Sequence, residues 1–168
     1  MTRQPANGPG NWVLLSYRMP REPSTPRITI WRKLKRLGVA QLGDGLIALP
    51  ADARTREHLD WIAEEIVDAG GTATVWIAQP ATLAQERELA ADMAAARSEE
   101  YRTVIDTAAA AASASEPDRV RTIRRLRDEL RRIHRRDYFP PVERDTARLA
   151  VETLAEARTQ ADSPEITP

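Results

Sequence analysis

Val39-Ala40-Gln41-Leu42-Gly43-Asp44-Gly45-Leu46-Ile47-Ala48-Leu49-Pro50, residues 39–50, is the stretch on which the fold turns. Two short runs of apolar residues, Val39 to Leu42 and Leu46 to Leu49, flank Gly43-Asp44-Gly45, whose glycines permit a tight reversal. This pattern predicts a β-hairpin closed by Pro50. A hairpin makes its two strands antiparallel neighbours, which argues against the alternative, a fragment of a larger α/β sheet.

Working outward, each side of the hairpin offers one helix and one further strand. Upstream, Trp12-Val13-Leu14-Leu15-Ser16-Tyr17 reads as a strand that stops at Met19-Pro20, and Arg21 to Pro26 reads as a turn. Thr25 before Pro26 predicts a helix start, with Ile28, Trp31, Leu34 and Leu37 as its buried stripe and Gly38 as its end. Downstream, a second helix is expected from about Asp52 or Thr55 to Ala69, burying Leu59, Ile62 and Ile66 and ending at Gly70-Gly71. Thr72 to Ala78 is the fourth strand. The order β-α-β-β-α-β predicts an α+β, ferredoxin-like unit over residues 11–80: a four-stranded antiparallel sheet with two helices on one face.

Residues 81–158 predict a C-terminal helical extension of about three helices. Thr82-Leu83-Ala84-Gln85 has the form of a capping box and opens a long helix carrying Leu89, Met93, Tyr101, Val104 and Ile105. Ser115-Glu116-Pro117-Asp118 starts the next, whose stripe is Val120, Ile123, Leu126, Leu130 and Ile133. After a break at Asp137 to Pro141, a last helix is expected to bury Ala147, Ala150, Leu154 and Ala157. Residues 1–10 and 159–168, polar and rich in turn formers, read as a disordered lead-in and tail.

Composition excludes several classes of function. The 168 residues carry 25 Lys+Arg and 25 Asp+Glu, so net charge selects no partner, although all but Lys33 and Lys35 of the basic residues are Arg. With no cysteine there is no disulfide, thiolate zinc site or Cys nucleophile. His58 and His134 are the only histidines and read as surface residues, so no metal site is expected. No catalytic residue, cofactor motif or carboxylate constellation for acid/base work stands out, and the chain reads as a non-enzyme. No apolar run approaches the ~20 residues of a membrane helix, and a cytoplasmic protein is expected.

Two basic features can bind anions. Arg18, Arg21, Ser24, Thr25 and Arg27 surround the predicted start of the first helix, where free N–H groups and a partial positive charge favour an oxyanion. The plainer alternative is that Ser24 and Thr25 cap the helix and the arginines are solvated. The run 119–136 holds nine arginines, and with the basic face of the first helix it suits nucleic-acid phosphates. The candidates are Arg32, Lys33, Lys35, Arg36, Arg124, Arg125, Arg131 and Arg132. The alternative is pairing with acids such as Glu86, Glu88, Glu99, Glu100 or Asp106. Trp31 and Trp61 read as core or dimer contacts rather than base-stacking platforms.

Residues 12–18, Pro23 to Arg27, Trp31 to Gly38, Gly43 to Pro50, Glu100-Tyr101 and Arg135-Arg136-Asp137-Tyr138-Phe139 together resemble the N-terminal domain of the ChrB chromate-resistance family. The resemblance spans roughly residues 12–158. It implies a bacterial cytoplasmic protein that senses chromate or a similar oxyanion and regulates, through promoter DNA, a chromate efflux transporter. Larger members carry a second, C-terminal domain, so a separately encoded domain of that type is an implied partner; a homodimer is a further expectation by analogy. The α/β part is similar, more distantly, to the central domain of PaaX-type repressors and to the small CRISPR adaptation nucleases. Those nucleases place a metal-binding Asp at the end of the first strand, where this chain has Ser16-Tyr17-Arg18-Met19. A nuclease-like enzyme and a purely structural dimerisation module remain the alternative functions.

Overall fold

The structure, a computed structural model, describes residues 9–161, with side chains described through Ala157. Residues 1–8 and 162–168, most of the expected lead-in and tail, lie outside the described residues. The elements run β1 (Trp12–Arg18), α1 (Ser24–Leu37), β2 (Ala40–Gly43), β3 (Leu46–Pro50), α2 (Ala53–Asp68), β4 (Thr72–Ala78), α3 (Leu83–Ala111), α4 (Glu116–His134) and α5 (Glu143–Ala161). The chain divides into two compact units, with the boundary at Met93 and Ala94, inside α3.

In the first unit the strands form one antiparallel sheet in the order β2-β3-β1-β4, the ferredoxin-like arrangement. Register follows from alternation. Val13 stands opposite Leu49 and Leu15 opposite Ile47, and all four are buried. Ile30 and Leu34 of α1 and Leu59, Ile62 and Ile66 of α2, all buried, cover that face. The opposite face carries Leu14 across from Ala48 and from Trp76.

Helix α2 starts as its sequence dictates. Asp52 Oδ1 accepts the Thr55 N–H at 2.7 Å, Thr55 Oγ1 accepts the Asp52 N–H at 2.9 Å, and the Thr55 hydroxyl donates to the Pro50 carbonyl at 2.7 Å. The box thus satisfies the helix end and also ties it to the end of β3.

Helix α1 departs from the sequence reading in two ways. It begins two residues earlier, at Ser24 where Pro26 was expected, its N-cap is Pro23, and no side chain caps it. Thr25 is therefore inside the first turn instead of capping it. The stripe Ile28-Trp31-Leu34-Leu37 also fails, because Ile28 and Trp31 are 43% and 52% exposed while Ile30 and Leu34 are buried. At about 100° per residue, positions nine apart lie on opposite sides of a helix, so Ile28 and Leu37 cannot share one face. Trp61 is 54% exposed as well, so neither Trp31 nor Trp61 is a core residue.

In the second unit the remainder of α3 joins α4 and α5 around a core that includes Tyr101, Val104, Ile123, Leu126, Leu130, Ile133, Ala147, Val151 and Leu154. The predicted α4 stripe is buried from Ile123 onward. In α5 the buried row is Ala147, Val151 and Leu154, Ala150 is half-buried, and Ala157 is exposed. The helix also continues through Thr159 to Ala161, where a disordered tail was expected. No described helix is long and apolar enough to cross a membrane.

Candidate functional site

The end of β1 and the start of α1 do form a concave site, but from fewer of the expected residues than the sequence suggested. A groove of about 610 Å³ is lined by Arg18 and Arg27 and reaches across to the β2–β3 hairpin. Arg21, Ser24 and Thr25 are exposed and do not line it. Neither Arg18 nor Arg27 forms an ion pair among the described residues, so the charge is uncommitted.

The groove exists because the hairpin turn is fastened beneath the end of β1. Gly45 takes a left-handed backbone (φ 68°), its carbonyl accepts the Tyr17 N–H at 2.7 Å, and a Cβ there would stand 2.2 Å from the Tyr17 carbonyl oxygen. Only glycine fits so close an approach. The hairpin brings Gln41 of β2 and Asp44 of the turn onto the groove wall, which Ile28 and Trp31 of α1 also line. Lys35, one turn beyond Trp31, holds its ammonium 5.1 Å from the centre of the indole ring. Tyr17 also lines the groove, and burial pushes its phenol above the ordinary value, so it is a neutral hydroxyl at physiological pH. Tyr17, Trp31, Gln41 and Asp44 were not in the expected site. The available signal was the spacing Arg27-Trp31-Lys35, which sets all three on one helix face.

The arginine-rich face of the second unit is partly committed. Arg131 pairs with Asp128, and Arg132 with Glu129 at 2.6 Å, both within α4. Arg124 and Arg125 are exposed with no ion pair among the described residues, and Arg125 and Arg132 line a shallow concavity with Glu100 and Glu129. In the first unit Lys33 is bound to both oxygens of Glu65, while Arg32 and Arg36 are exposed and form no ion pair among the described residues.

A second cluster joins residues far apart in sequence. Glu100 accepts Arg97 at 2.9 Å and Arg136 at 2.7 Å, while the fully buried Tyr101 hydroxyl donates to Asp137 at 2.8 Å. Asp137 has no side-chain exposure; its other oxygen has no hydrogen-bond partner among the described residues, and the Arg144 guanidinium is 4.0 Å from the oxygen that Tyr101 holds. Burial and the Asp137 carboxylate push the Tyr101 phenol far above its ordinary value. His134 is half-buried, not a surface residue; its ring lies 5.9 Å from that of Tyr101, and burial followed by the Arg144 charge lowers its pKa. His58 is likewise half-buried, against Trp61. Among the described residues no three His, Asp or Glu side chains gather where they could hold a metal ion.

Comparison with known proteins gives one consistent result. Residues 27–163 match the family model described as "Protein ChrB, N-terminal". Over 147 residues the chain is 30% identical to "Protein ChrB" of Cupriavidus metallidurans, an overlap that covers 83% of this chain and 44% of that protein. The chain thus spans less than half the length of this relative. No solved structure gives a significant match. The two clustered pairs, Glu100–Arg136 and Tyr101–Asp137, fall within the matched residues.

Proposed function

The chain belongs to the ChrB N-terminal family, and from that premise we propose that it is a chromate-responsive regulatory or accessory protein of chromate resistance, acting in the cytoplasm on an efflux operon. The observation that carries the reading is the pair Arg18 and Arg27, two guanidinium groups that form no ion pair among the described residues and line one groove. A tetrahedral dianion there exchanges part of its hydration for charge-assisted, fork-shaped hydrogen bonds. No chemical step is required, and the protein works in this reading as a binder and not as an enzyme. Promoter DNA is contacted through exposed arginines of α4, with Arg124 and Arg125 foremost.

Calorimetric titration of the full chain with chromate, sulfate and phosphate tests the sensing half. Chromate is expected to bind in preference to the other two. Arg18→Ala or Arg27→Ala should weaken it by about tenfold or more, the scale of a lost hydrogen bond to a charged group, whereas Arg54→Ala should leave it unchanged. No binding, or equal binding of all three anions, overturns the reading.

A second reading, a module that docks a copy of itself or a separately encoded domain, is favoured by the sheet face opposite α1 and α2. Trp76 and Leu42 are 54% and 43% exposed, and a concavity of about 420 Å³ adjoins Leu14 and Ala48 on that face. Light scattering of the chain alone, and then mixed with the remaining portion of the longer relative, separates the two cases: a monomer in both rejects the docking module.

A further inference from the structure

The groove holding Arg18 and Arg27 is larger and more aromatic than an inorganic oxyanion can use. Its volume, about 610 Å³, lies well inside the 300–1,000 Å³ range of sites for organic ligands. A tetraoxyanion held by the two guanidinium groups fills a small part of it and leaves Trp31, Gln41 and Asp44 without a role. Asp44, which lines the same groove, is moreover the wrong charge for an anion alone.

These residues fit a ligand with an anionic end, a flat aromatic body and an edge of hydrogen-bond donors. Trp31 is half exposed, and its position in α1 is held from the next turn by the Lys35 ammonium against the ring. Lys35 lies over one face of the indole, so a base stacks on the other face, whatever its sequence context. Asp44 and Gln41, carried on the hairpin, supply acceptors for a base edge bearing an exocyclic amine.

We propose that the groove binds a nucleoside phosphate, with the phosphate between Arg18 and Arg27, the base against Trp31, and an exocyclic amine of the base donating to Asp44. The phosphate end rests on the oxyanion reading of the two arginines; the base end rests on residues that reading does not use. The same chemistry is offered by a free nucleotide and by the terminal residue of a single strand.

Calorimetry on the full chain tests this with guanosine and adenosine monophosphate, a 5′-phosphorylated deoxyoligonucleotide, inorganic phosphate and chromate. The nucleotides are expected to bind about 5- to 100-fold more tightly than inorganic phosphate, the fold-change that stacking of one base supplies. Trp31→Ala should abolish that advantage and leave phosphate affinity unchanged, Trp31→Phe should restore most of it, and Asp44→Asn should change the ranking of the bases. Because Trp31 and Asp44 are exposed, these variants retain the fold, which circular dichroism checks. Oligonucleotide binding tighter than that of the monophosphates assigns the ligand to a strand end; the reverse assigns it to a free nucleotide. If nucleotides bind no better than phosphate, or Trp31→Ala leaves their advantage intact, the nucleotide assignment falls while the oxyanion reading stands on its own titration. If nucleotides bind and chromate does not, chromate sensing falls and the nucleotide site stands.

Discussion

A buried carboxylate is costly unless its oxygens are satisfied, and Asp137 is served mainly by one neutral hydroxyl, that of Tyr101. Tyr101→Phe deletes that donor and leaves the carboxylate buried with Arg144 at 4.0 Å. The expected loss in urea unfolding is about 1–3 kcal/mol. Asp137→Asn keeps an acceptor for the hydroxyl without the charge and should cost less than Tyr101→Phe; an equal or larger loss would show that the charge itself stabilises the fold. His134 adds a pH term. Its folded pKa lies below the ordinary value near 6.5 because burial and Arg144 disfavour the cation. Its contribution is therefore fully present above about pH 6.5 and declines as pH falls toward the folded value. A replacement that does not titrate, His134→Gln, should flatten stability against pH between about 7.5 and 5; an unchanged slope would remove His134 as the source. Of this network, Glu100 as an acid partner for the arginines of 119–136 was legible in the sequence, and the Tyr101–Asp137 contact was not. Glu100-Tyr101 and Arg135 to Phe139 were recognisable as a motif, but only the antiparallel return of the helices turns that motif into two pairs.

Among the elements, the hairpin and α2 were legible, and α1 was legible only in part. Gly43-Asp44-Gly45 and Asp52–Thr55 act through bonds a few residues long, so their chemistry is written in adjacent letters. The buried face of α1 depends on which side the sheet presents, and large apolar residues at Ile28 and Trp31 outweighed the correct row through Ile30 and Leu34. The same misreading hid the groove, because a tryptophan assigned to the core cannot also line a site. The local devices give two tests. Gly45→Ala places a Cβ against the Tyr17 carbonyl and a side chain in the left-handed region, where the backbone cost alone is about 1–2 kcal/mol. A lower melting midpoint should come with weaker nucleotide binding, since the hairpin can then no longer seat Gln41 and Asp44. A variant that is destabilised but binds normally would separate the turn from the site. Asp52→Ala should cost about 1 kcal/mol at neutral pH. The Thr55 backbone N–H, foremost among several causes, holds the Asp52 carboxyl below its usual pKa. The cap is thus fully effective above about pH 4 and is lost as pH falls through its lowered folded value, so wild type and variant should converge in acid. A difference that persists at pH 2 would assign the effect to something other than the ionised cap.

At the scale of the whole molecule, zero net charge conceals cations that differ in availability. The chain balances 25 basic against 25 acidic side chains, so the DNA contact proposed above depends on which arginines remain unpaired. Arg131 and Arg132 must leave Asp128 and Glu129 before meeting a phosphate, and Lys33 must leave Glu65; Arg124, Arg125, Arg32 and Arg36, which form no ion pair among the described residues, face no such exchange. Each phosphate neutralised contributes about −0.9 to the slope of log affinity against log salt. A mobility shift with the operon's promoter, repeated across salt concentrations, should therefore show the slope reduced by about two in the double variant Arg124→Ala, Arg125→Ala. The double variant Arg131→Ala, Arg132→Ala should reduce it less, because those side chains bring their own counter-charges. The basic face of α1 lies in the first unit and that of α4 in the second, so Arg32→Ala with Arg36→Ala reports separately on the sheet unit. Identical slopes for the paired and unpaired arginines of α4 would mean that the ion pairs of the free protein do not govern its availability to DNA. Absence of any shift at low salt would remove nucleic-acid phosphates from the functions of that face altogether.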